Sequence, residues 1–171
     1  MGKVTTYYVI EDDLIEKAKD LSFDLIEFIN DELLQYHDYK DQEFWRCGIE
    51  YGTGVKAWHP TIELLKLLDN SDDQIIGQIL DVDKFGGFDG PPYLIKSNDV
   101  KKVWSELKKV SVDLIEKSIS NKRIVDEIKN IEGYRMDSIE NKTLILLEFI
   151  EIFKAFYQAQ ERNKGIVIEQ S

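Results

Sequence analysis

The sequence predicts an α+β fold: a single, mainly helical domain over residues 1–171 with a small mixed β-sheet that includes strands near both termini. Three observations carry that expectation. Two β-branched and aromatic stretches, KVTTYYVI at 3–10 and KGIVIEQ at 164–170, bracket the chain. Between them apolar residues recur every three or four positions in segment after segment, the period of an amphipathic helix. No linker, repeat or low-complexity tract interrupts the 171 residues, a length that one core can serve. Few strands separated by long helical stretches suit an α+β arrangement better than a regular alternation.

Each element has its own justification. Residues 3–10 form the first strand because their side chains pack well on a pleated surface. The same start fits a myristoylation pattern at Gly2 and Thr6, but strand pairing already accounts for these residues. From Glu11 to His37, Leu14, Ala18, Leu21, Leu25 and Leu33 mark an amphipathic helix with an acidic outer face. Glu11, Asp12 and Asp13 complement its dipole. The glycine-broken FWRCGIEYGTGVKAWHP at 44–60 predicts a helical turn, a loop and a short strand. A helix follows Pro60, and a shorter one follows NSDD with Ser71 as its cap. PYLI at 92–95 is a strand, and Ser97 caps a helix with Val100, Val103, Trp104 and Leu107 inward. Shorter helices follow over 114–119 and 124–131.

The segment KTLILLEFIEIFKAFYQAQERN at 142–163 is apolar nearly all round, leaving a thin polar stripe of Glu148, Glu151, Lys154 and Gln158. A helix of that kind belongs at the centre of a core or beneath a second subunit, which admits a homodimer through residues 143–160.

Charge divides the chain. Residues 1–90 hold 20 Asp and Glu against 8 Lys and Arg, a balance of −12, whereas the other 81 hold 13 against 14. An acidic surface repels phosphate backbones, so nucleic acid is not an expected partner. A basic protein is, although excess charge also serves solubility. No run reaches the roughly 18 apolar residues that cross a bilayer, so no membrane partner is expected. The start lacks the apolar core of a secretory signal, and the single Cys47 suits a reducing compartment. A cytoplasmic location is expected.

Catalytic motifs are incomplete. In DVDKFGGFDGPP at 81–92, Asp81, Asp83 and Gly86 fit an EF-hand-type loop, but Phe85 and Pro92 stand where carboxylates are needed. The glycines of that stretch lead to prolines instead of a helix, which also excludes a phosphate cradle. The lone Gly-x-Gly in YGTG at 51–54 reads as a turn. Cys47, His37 and His59 lack the close-spaced pair of a zinc site, and no Gly-x-Ser-x-Gly elbow occurs. No metal, cofactor or assigned catalytic residue is expected. The aromatic cluster of Phe44, Trp45, Tyr51 and Trp58 is where a groove would form, with Trp45, Tyr51, Trp58 and His59 as the candidate binding residues.

The order of features resembles the YfbM-like family of bacterial proteins of unknown function. DQEFWRCGIEYGTG, PPYLIKSNDVKKVWSELKKVS, VDEIKNIEGY and FKAFYQAQERNKGIVIEQ carry the resemblance. It implies a single cytoplasmic α+β domain and no assigned chemistry. The sequence thus favours a small acidic protein-binding module contacting a basic partner through its N-terminal half, an immunity- or antitoxin-like role being one version. The alternative is a small-molecule hydrolase using carboxylates or a loosely bound divalent metal near Trp45, Tyr51, Trp58 and His59.

Overall fold

The structure, a computed structural model, describes residues 5–18, 45–48, 57–81, 93–128 and 139–170. Within them the chain runs β1 (Thr5–Ile10), α1 (Asp12–Ala18), β2 (Trp45–Gly48), α2 (Trp58–Leu68) and α3 (Ile75–Ile79). It continues through β3 (Tyr93–Ile95), α4 (Ser97–Leu107), α5 (Val112–Ser120), α6 (Lys122–Ile128), α7 (Ile139–Arg162) and β4 (Gly165–Gln170). The fold is α+β and mostly helical, with strands near both termini as expected. The described ladders are all antiparallel rather than mixed, in the order β2-β1-β4-β3.

Period-2 alternation in the strands explains how the sheet is covered. The register aligns Tyr93, Ile168 and Tyr7 in one row and Ile95, Ile166 and Val9 in another. These side chains, half-buried at Tyr93 and fully buried elsewhere, belong to the main core with α2, α4 and α7. The intervening row of Leu94, Val167 and Tyr8 belongs to a second, smaller cluster with Ile10 and Ile15 of α1. Successive residues point to opposite faces, so β1 and β4 serve both clusters.

The close approach of α1, β3 and β4 requires Gly165. A Cβ at this position would stand 2.2 Å from Ile15 Cδ1 and 2.6 Å from the Ile95 carbonyl oxygen, both too close for any side chain. Immediately before it, α7 ends with Asn163 in the left-handed region (φ 55°) and the Lys164 N–H bonded to the Ala159 carbonyl at 2.9 Å. That is the six-to-one bond of a Schellman ending.

Capping follows the sequence at α5 and differs at other helix starts. Ser111 caps α5 as an acceptor from the Leu114 N–H at 3.1 Å. Ser97 is the first residue of α4 and not its cap, and the Asp12 carboxylate from the start of α1 takes both its N–H (2.8 Å) and its hydroxyl (2.6 Å). The second difference is in α2, which starts at Trp58 and so takes in His59 and Pro60. A proline is tolerated there because first-turn N–H groups have no partner within the helix.

Beyond Ala18 the expected helix to His37 lies outside the described residues, as does the glycine loop after Asp81. No helix among the described residues is long and apolar enough to cross a membrane.

Candidate functional site

The strongest chemical feature is Glu148. It stands on the side of α7 that carries Ile145, Ile152 and Phe156, all fully buried, and is itself only 4% exposed. The expected polar stripe therefore breaks: Lys154 is exposed and Gln158 half-buried, but Glu148 points into the core. The reason is geometric. Residue 148 lies three positions after Ile145 and four before Ile152, on the same helical face.

From β1, the fully buried Tyr7 donates its hydroxyl to Glu148 Oε1 at 2.5 Å, the short end of the range for a hydroxyl and a carboxylate. Burial pushes the Glu148 carboxyl up, the Tyr7 bond pulls it partly back, and the Glu151 charge adds a small upward push. It comes to rest at about 7. A carboxyl balanced near neutrality can take or give a proton, and such groups concentrate at functional sites. Here the pair is closed off. The neighbouring cavity of about 260 Å³ is lined by Phe149 and Ile150 and does not include either partner.

A second carboxylate, Asp69, has a structural role. It accepts from the Ser71 hydroxyl (2.6 Å), the Ser71 N–H (2.9 Å) and the Ile76 N–H (2.7 Å). Burial works against its ionised form, but these donors outweigh burial and hold it below the ordinary carboxylate range. The expected cap at Ser71 is not realised: α3 begins at Ile75 with Gln74 in the left-handed region before it, so Asp72 and Asp73 precede the helix. Ser71 accepts from the Ile75 N–H at 3.1 Å from outside the cap position, while Asp69 accepts from the Ile76 N–H.

The four residues singled out by sequence are placed as follows. Trp58 is buried in the main core, and His59 follows it, half-buried, in the first turn of α2. Trp45 stands opposite Val9 in the β1–β2 register, and Tyr51 lies outside the described residues. Cys47 stands opposite Tyr7 in the same register. Glu148 and Tyr7 were not singled out as a site by the sequence. The available signal was a lone acid flanked at helical spacing by apolar residues, together with a tyrosine on the inward period of a strand. Among the described residues no group of three or more His, Cys, Asp and Glu could hold a metal.

The acidic half is partly neutralised by the other half. Glu11 pairs with Lys164 at 3.0 Å, and Glu16 pairs with Lys96. Asp13, Asp72 and Asp73 stay exposed with no ion pair among the described residues.

A four-stranded antiparallel sheet with a long helix across one face, joined by a buried tyrosine–glutamate bond, defines a small α+β protein among the described residues. The model of the domain of unknown function DUF1877 matches residues 1–169, and the chain belongs to that family. Its fold is similar to the crystal structure of YfbM from Escherichia coli, a protein of unknown function. That match has a TM-score of 0.56 at 13% identity and covers 96% of this chain and 98% of the other. The resemblance to YfbM-like proteins read from the sequence is thereby borne out. No curated protein matches the chain.

Proposed function

We propose that the chain is a non-enzymatic protein-binding module whose acid-rich first ninety residues recognise a basic protein, an immunity- or antitoxin-like role being one form of this. The division of charge carries the reading: −12 over residues 1–90 against +1 over the rest. Exposed Asp13, Asp72 and Asp73 support it, because complementary charge speeds association and selects partners. The test is capture from cell lysate between about 0.01 M and about 1 M salt, where the Debye length falls from about 30 Å to about 3 Å. The expected result is a basic protein held at low salt, released at high salt, and held less well by Asp72→Asn/Asp73→Asn. Finding no basic protein at low salt, or one indifferent to salt and to the substitutions, contradicts the reading.

A second reading, a small-molecule hydrolase, rests on Glu148. A carboxyl at about 7 has the proton affinity of a general base at neutral pH, provided that a motion opens it to substrate. In that case Glu148→Gln abolishes turnover of an ester or phosphoester panel while circular dichroism is unchanged. Activity that survives the substitution removes this reading.

A further inference from the structure

We draw no further inference here: the strongest candidate, the apolar flank of α7 where Phe153 and Tyr157 meet Trp104 beside the cavity of about 260 Å³, carries exposed Lys101 and Lys108 on its α4 side and exposed Glu161 one turn beyond Tyr157, and nothing in the structure shows what covers it.

Discussion

Asp69 and Glu148 are almost equally hidden from solvent, 5% and 4% exposed, but Asp69 sits in a turn near the surface and Glu148 deep among core side chains. The protein holds the first ionised and pushes the second toward neutrality. The difference lies in depth and in donors. Asp69 occupies a turn between two helices where two backbone N–H groups and a hydroxyl converge on it. Glu148 emerges from mid-helix, where backbone donors are already engaged, and meets the single hydroxyl of Tyr7. The charge of a hidden acid follows from how deep it lies and from how many donors face it.

The largest test of that contrast is pH. The Glu148 pKa rises from 4.5 to about 7 on folding, so between those values the native state keeps a proton that the unfolded chain releases. Its stabilising effect is complete below pH 4.5 and is lost as pH rises through 7. At about 1.4 kcal/mol per pKa unit this amounts to about 3 kcal/mol. Glu148→Gln should remove that part of the pH dependence and be more stable than the parent at pH 8 by up to about 3 kcal/mol, read from urea denaturation. Equal slopes in parent and variant would break the comparison.

Asp69→Ala should act in the opposite direction, lowering stability at pH 7 by about 2 kcal/mol, because two N–H groups and a hydroxyl lose their acceptor. Its deficit should shrink as pH falls through the native pKa of Asp69, since the parent loses the same ionised acceptor there. Tyr7→Phe should lower stability by about 1 kcal/mol. It should also raise the Glu148 titration midpoint in carboxyl NMR, because the phenol pulls that value down. An unmoved midpoint would mean that the hydroxyl does not govern the carboxyl. The smallest effect belongs to Ser71→Ala, about 1 kcal/mol or less, since Asp69 retains both backbone donors.

Local patterns made most of the fold legible. The β-branched and aromatic residues of TYYV and GIVI announced strands, and 3.6-residue spacing located α2, α4, α5 and α7. The four strands' common antiparallel direction was not legible, because direction depends on pairing between segments far apart in sequence. The same limitation hid the site. Glu148 reads as one more acid in a polar stripe until β1 is laid across α7 and Tyr7 meets it. Asp12 is likewise one of three acids complementing a helix dipole until β3 brings Ser97 to it. Trp58 drew attention as an aromatic beside glycines and proved to be core.

The two inner strands, β1 and β4, come from opposite ends of the described chain, with Thr5 paired to Gln170. During synthesis β1 can meet β2 early, but it finds β4 only after residue 170 has left the exit tunnel. Until then Tyr7, Tyr8, Val9 and Ile10, all buried in the finished molecule, must wait exposed or in chaperone hands. This architecture therefore makes completion of the sheet a late step of synthesis, and a stalled or shortened translation product would be left with an open, sticky sheet edge.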